Sequence, residues 1–253
     1  MSTLALRNTG TLAWRTLVQL KHNPFELMDF SFQPVIFLLL FTYVFGGAIA
    51  GSPSDYLVFG LAGIIVQNML FSTLNTGVGL NTDISKGVFD RLRAMPISRW
   101  APLSGRIVAD LIKQAWAIVL LLGVGALLGF RITTGPLEVA AMFGLLLLFA
   151  FATAWLPVLV AMVAASPEKV QLFGFLLVFP LTFASSAFAP TETMPGWLQA
   201  FVKINPVSIL SDAVRGLLNG GPVAGPVTQS LIWAAVLLGV FAPLSVRAFR
   251  RRV

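Results

Sequence analysis

The sequence contains no cysteine, which excludes disulfides, thiolate nucleophiles and cysteine-ligated metals. Its single histidine, His22, cannot supply a histidine-rich metal site or a His-Glu-x-x-His zinc motif; it reads as a polar residue at a water–lipid boundary. No Gly-x4-Gly-Lys-Ser/Thr loop occurs, so the chain does not hold nucleotide phosphates by that route. Charge is scarce too: Asp, Glu, Lys and Arg make up 11% of the 253 residues, against 57% hydrophobic residues. That balance belongs to a multispanning membrane protein and not to a soluble domain of this length. The Asp and Glu residues all fall at span ends or in loops. None sits mid-membrane, where a proton-coupled carrier keeps one. No cleavable signal peptide is read, because the first long apolar run begins near Phe32 and no small-residue site closes it.

What is present is a series of windows almost free of charge. A single mid-bilayer charge costs about 2.5–3.5 kcal/mol on insertion scales, and a span takes about 20 apolar residues. Six windows qualify: 32–54, 56–82, 107–130, 139–165, 170–189 and 228–246. The third requires Asp110 and Lys113, neighbours at i and i+3, to lie near the inner surface with the lysine snorkelling. Pro157 falls inside the fourth window and Pro180 inside the fifth. The chain is thus expected to be an all-α integral membrane protein with six transmembrane helices in one domain, residues 1–253. Ahead of them, residues 3–22 form an amphipathic stretch of low overall hydrophobicity, the mark of an interfacial elbow helix. Between the fifth and sixth spans, residues 190–226 are too polar and too broken to cross. They read as a short extracellular hairpin of two helices, the second running from about Val207 to Leu218.

The net charge of +7 is explained by topology. With both termini in the cytoplasm, only Arg131, Lys203 and Arg215 of the 17 Lys and Arg fall outside. Nothing is left over for a nucleic-acid face. The longest polar interruption, residues 83–106, becomes a cytoplasmic loop. Within it Val88, Phe89, Leu92 and Met95 lie on one side of a short helix, with charges on the other, and Pro96 ends it. A short helix outside the bilayer with one apolar and one cationic side is shaped to plug into a partner.

Two spans carry stripes. Asn68, Ser72, Asn75 and Gly79 share a face of the second, and Phe175, Phe179 and Phe183 a face of the fifth, with Ser185 and Ser186 nearby. Two readings stand: glue between helices, or the wall of a path for an amphipathic substrate, which could also be a subunit interface.

The run Gly87-x-x-Asp90-Arg91-Leu92-Arg93-x-x-Pro96-x-x-Arg99, followed by Gly105-Arg106 and Asp110, resembles the cytoplasmic segment of type-2 ABC transporter permeases, in particular the daunorubicin-resistance type of exporter. The segment from Phe183 through Ser186, Pro190, Met194-Pro195-Gly196-Trp197 to Asn205-Pro206 and Asp212 is similar to the same family, as is Asn23-Pro24 with Pro34. The resemblance implies a permease subunit of an ATP-driven exporter for a hydrophobic or amphipathic drug, antibiotic or lipid, not itself an enzyme. It implies a second permease subunit, as homo- or heterodimer, and two cytoplasmic ATPase subunits that bind the ATP and magnesium. It also implies a multi-pass protein of the bacterial plasma membrane. Gly87, Asp90, Arg91, Leu92, Arg93, Met95, Pro96 and Arg99 would couple to the ATPase; many relatives carry a Glu near the start of this helix, and Asp90 is the nearest acid here. The alternatives weighed beside it are a gradient-driven carrier or channel without an ATPase, and a membrane enzyme or scaffold. The missing mid-membrane acids count against the first, and the missing acid, histidine and cysteine clusters against the second.

Overall fold

The computed structural model describes the backbone of residues 3–22, 24–93 and 101–252, with their side chains except at 3–6, 19–22, 24–30, 90, 92, 93 and 101. The described residues form helices and turns, with no strand among them. Helix α1 (Thr3–His22) is followed by α2 (Pro24–Leu40), which passes through a π-helical turn (Phe41–Phe45) into α3 (Gly46–Ala50). Then come α4 (Pro53–Ser85), α5 (Val88–Arg93), α6 (Ala101–Leu127), α7 (Pro136–Val163) and α8 (Pro167–Phe183). A 3-10 turn (Thr191–Thr193), α9 (Gly196–Ile204), α10 (Pro206–Asn219) and α11 (Ala224–Arg252) complete the chain.

The helix starts are written locally. Pro53, Pro136, Pro167 and Pro206 each occupy the first turn, where the missing N–H is no loss. Ser52 Oγ accepts from the Asp55 amide at 3.1 Å, and Asn205 Oδ1 from the Val207 amide at 2.9 Å, as N-caps.

Among the described residues, five stretches are long and apolar enough to cross a membrane: Ser31–Ala50, Pro53–Ser85, Pro102–Leu127, Pro136–Val163 and Ala224–Arg252. Within the apolar windows 72% of α4 is buried inside the protein, against 11% of α11. Helix α4 is therefore the central mast, and the apolar window of α11 lies mostly on the outside of the bundle. Tyr56, Leu61, Ile65 and Met69 of α4 meet Ile118 and Leu121 of α6, Met142, Leu146 and Phe149 of α7, and Leu210 and Val214 of α10 in one core. A second, smaller core lies at the other end of the mast, around Leu80.

The expected fifth span, 170–189, is revised. Helix α8 begins at Pro167 and stops at Phe183, and the chain unwinds through 184–189. Its 17 residues reach about 25 Å at 1.5 Å per residue, short of the roughly 30 Å hydrocarbon core. Local chemistry makes the break. Ser185 Oγ donates to the Thr182 carbonyl and accepts from the Ala187 amide, drawing the backbone off the helical ladder. The freed carbonyls are met from elsewhere: Asn205 Nδ2 donates to Leu181 O at 2.7 Å and Ala184 O at 2.8 Å, and Tyr56 Oη to Phe188 O at 3.3 Å. Irregular backbone at membrane depth persists only when so satisfied. Helix α4 runs hard against this segment at Gly63, where the Ala187 carbonyl occupies the place a Cβ would take.

Other boundaries shift less. The expected loop over 83–106 is narrower, because α4 continues to Ser85 and α6 begins at Ala101. Helix α1 covers the expected 3–22, and α9 and α10 fall within 190–226. Helix α11 overruns the expected 228–246 at both ends. Lys113 is buried, and its Nζ reaches back to within 3.6 Å of Asp110 Oδ1, one turn nearer the start of α6.

Candidate coupling site

Helix α4 closes at Lys86, and Gly87 takes φ +65°, a left-handed turn that glycine adopts without a Cβ clash. The chain thereby doubles back into α5, whose Phe89 is 6% exposed. Its ring sits edge-on to Phe249 of α11 with centroids 5.7 Å apart, among Leu80, Leu103, Ile107, Val158 and Met162. Arg91 projects from the same helix and is exposed. Its guanidinium donates to Lys86 O at 3.0 Å and Gly87 O at 3.4 Å, closing the turn while leaving the charge in the open. Asp90, Leu92 and Arg93 lie on α5. Met95, Pro96 and Arg99 fall in 94–100, outside the described residues.

Beside α5 an ionic chain links α4 to α6. Arg106 Nη1 lies 3.1 Å from Asp83 Oδ2, and its Nε lies 3.9 Å from Asp110 Oδ2, which leads on to Lys113. Its Nη2 reaches back 3.5 Å to Asn75 O. The guanidinium passes over α4 at Gly79, filling the space a Cβ would need. Helix α1 docks on the start of α6: Thr9 Oγ1 and Ser104 Oγ share a hydrogen bond of 2.9 Å, Ala13 is buried, and Leu12 crosses Gly105. Leu12, Arg15 and Thr16 of α1 then line a cleft with Asp83, Phe89 and Arg106. Helices α1, α4, α5 and α6 thus meet at one place.

The stripe residues part company. Asn68 and Ser72 are half-buried and Asn75 is exposed. Phe175, Phe179 and Phe183 are exposed and stack at 5.0 and 4.4 Å between centroids; the ladder continues through Phe188 to Phe41 at 5.0 and 4.8 Å. The π-helical turn carries Phe41, which Phe37 flanks on its other side at 4.8 Å. Ser185 and Ser186, by contrast, are buried and spend their hydroxyls on the unwound backbone and on α10.

The sequence counts Arg215 among the outside charges, on the second short helix of the outer hairpin. The structure turns it onto α4 and the unwound segment, where it donates to Phe59 O at 3.1 Å and Ser186 O at 3.1 Å. It pairs with Asp212 at 2.6 Å and lies 4.1 Å over the Phe59 ring. Burial lowers its pKa, while the Asp212 carboxylate raises it. The arginine stays protonated at any working pH. Asn81 and Arg252 were missed as well. Asn81 Nδ2 donates to Ala161 O at 2.8 Å and Ala164 O at 3.1 Å; Arg252 Nη1 donates to the same two carbonyls at 2.6 and 3.0 Å. The available signal for Asn81 was its amide inside an otherwise apolar span; for Arg252 there was none beyond charge.

A family model described as ABC-2 type transporter matches residues 7–219. The chain is 41% identical to the daunorubicin resistance ABC transporter permease protein DrrB1 of Streptomyces coeruleorubidus, over 98% of this chain and 88% of that protein. It is 29% identical to the probable doxorubicin resistance ABC transporter permease protein DrrC of Mycobacterium tuberculosis, over 86% of this chain and 79% of that protein. It is 21% identical to the probable multidrug ABC transporter permease YbhR of Escherichia coli, over 75% of this chain and 52% of that protein. With five helices fit to cross a membrane and a family match over most of its length, the chain is a multi-pass membrane protein of the ABC-2 transporter permease family.

Proposed function

We propose that this chain is the permease subunit of an ATP-driven exporter, moving a hydrophobic or amphipathic molecule outward through a pair of such subunits. Two copies of a separate ATPase dock on the α5 end, which faces the cytoplasm together with both termini. The observation that carries the reading is the build of α5: it presents the Arg91 charge to the outside while its Phe89 is sunk into the bundle core. A partner that grips the cationic side therefore moves the apolar side and whatever is packed on it. Asp90, Leu92, Arg93, Met95, Pro96 and Arg99 belong to the same docking surface, and Gly87 provides its turn. ATP and magnesium are held by the partner. In this reading α8 with the unwound 184–189 makes a sixth, short span, α1 is the elbow in the inner interface, and α9–α10 the outer hairpin. The exposed Phe175, Phe179 and Phe183, with Asn68, Ser72 and Asn75, form a substrate wall or meet the second subunit. The names of the relatives, with daunorubicin and doxorubicin resistance, favour a planar aromatic drug as cargo.

Co-purification tests it. Membranes carrying the chain and its ATPase should yield a complex that hydrolyses ATP and expels doxorubicin, and Arg91→Glu/Arg93→Glu should lose both assembly and transport. Unchanged assembly and transport in that variant, or uphill transport by the chain alone under an ion gradient, would sink the proposal.

A further inference from the structure

The docking helix touches more than the loop that carries it. Phe89 lies edge-on to Phe249, at 5.7 Å and 71°. Three residues beyond Phe249, Arg252 donates to the carbonyls of Ala161 and Ala164, where α7 gives way to extended backbone at Ala164 (ψ 142°) before α8 begins. Asn81 of α4 donates to the same two oxygens, so the α7–α8 turn is held from two sides by side chains of two other helices. One turn before Phe249, Ser245 Oγ donates to Trp155 O at 2.8 Å, clamping this part of α11 to α7. Val170, in the first turn of α8, is 1% exposed and belongs to the same small core as Phe89 and Phe249. The other buried residues of α11, Ser230 and Ala234, lie toward its opposite end, so Ser245 and Phe249 are what bury it here.

We infer that the last two turns of α11 act as a strut between the docking helix and the α7–α8 turn, with Phe249 receiving the motion of Phe89 and Arg252 delivering it to the base of α8. This rests on the proposed exporter function and adds to it a route and two positioning residues. The physical basis is stiffness. Phe249 and Arg252 ride one helix, i and i+3, so a shift of Phe89 displaces both together and cannot be absorbed by a loop. Well-packed side chains do not yield continuously but change between discrete arrangements. Helix α8 leads to the unwound segment 184–189 and the aromatic ladder, so a tilt at its base is felt at the far end of the bundle.

The chain lacks cysteine, so single reporters can be placed without background. Lys86→Cys, beside α5, and Lys169→Cys, at the base of α8, are both exposed and carry a spin label in the assembled complex with the ATPase. In the otherwise unaltered chain, ATP should change the spectrum at both positions. In Phe249→Ala and Arg252→Ala the change at 86 should persist, while that at 169 falls about fivefold or more. Transport per ATP hydrolysed should fall with it. Phe249→Leu and Arg252→Lys should restore most of the signal at 169, which separates a positioning role from loss of folding. An undiminished ATP response at 169 in both alanine variants overturns the strut and leaves the exporter reading standing. Failure of the unaltered chain to bind the ATPase, or to respond at 86, overturns the exporter reading and the strut with it.

Discussion

Arg215→Met keeps the length of the arginine stem and removes every donor. Three contacts go. The Ser186 carbonyl, in backbone already outside a helix, loses the Arg215 Nη2 donor, and a buried acceptor left without a partner costs about 1–3 kcal/mol. The pair with Asp212 contributes less than its 2.6 Å suggests, because the Asp212 side chain is 46% exposed and can rehydrate; about 0.5–1 kcal/mol is the scale for such a pair. The cation over Phe59 adds a comparable amount, about 0.5–1 kcal/mol. Phe59 O keeps its place in the α4 ladder and contributes little. The total is about 2–5 kcal/mol. For a chain of this size each kcal/mol moves the unfolding midpoint by about 2–4 °C, so a drop of about 4–20 °C is expected. Thermal unfolding in detergent, followed by tryptophan fluorescence, reads it. Arg215→Lys, which keeps the charge but not the fork, should fall in between, and Ser186→Ala should lose about 1 kcal/mol for one hydroxyl bond to Asp212. A midpoint for Arg215→Met within about 1 °C of the parent would refute the idea that this side chain holds α10 on the unwound segment.

Gly63→Ala forces a methyl into the Ala187 backbone carbonyl and should cost about 3 kcal/mol, the upper range for overpacking; a stable, unshifted variant would mean the two segments are not in contact. Gly79→Leu should expel the Arg106 guanidinium from its seat and lower the midpoint by about 1–3 kcal/mol equivalent, with Gly79→Ala milder but in the same direction; the unfolding midpoint again reads both. Asn81→Ala alone should cost about 1–2 kcal/mol, because Arg252 still covers the carbonyls of Ala161 and Ala164. With Arg252→Ala added, the loss should exceed the sum of the single losses, which a double-mutant cycle on the unfolding midpoint measures.

Much of this protein is determined by local composition. Charge-free windows, first-turn prolines and the basic interruption around Arg91 are properties of short stretches, and they define the long helices and the short α5 without help from the rest of the chain. The helix over 3–22 is legible for the same reason: it depends on its own periodicity. The end of α8 is not fully legible: Ser185 starts the break locally, but residues 184–189 stay unwound because Asn205, Tyr56 and Arg215, remote in sequence, supply the donors that make an open backbone tolerable. Arg215 itself, counted from sequence as a charge on an outer helix, becomes a fastener for the same reason: the carbonyls it satisfies belong to Phe59 and Ser186, and no local pattern records that pairing. The joint between Phe89 and Phe249, and the shared hold of Asn81 and Arg252 on the end of α7, likewise arise from helices far apart in the chain. Periodicity fixes which side of a helix is apolar; only packing decides which neighbour that side meets.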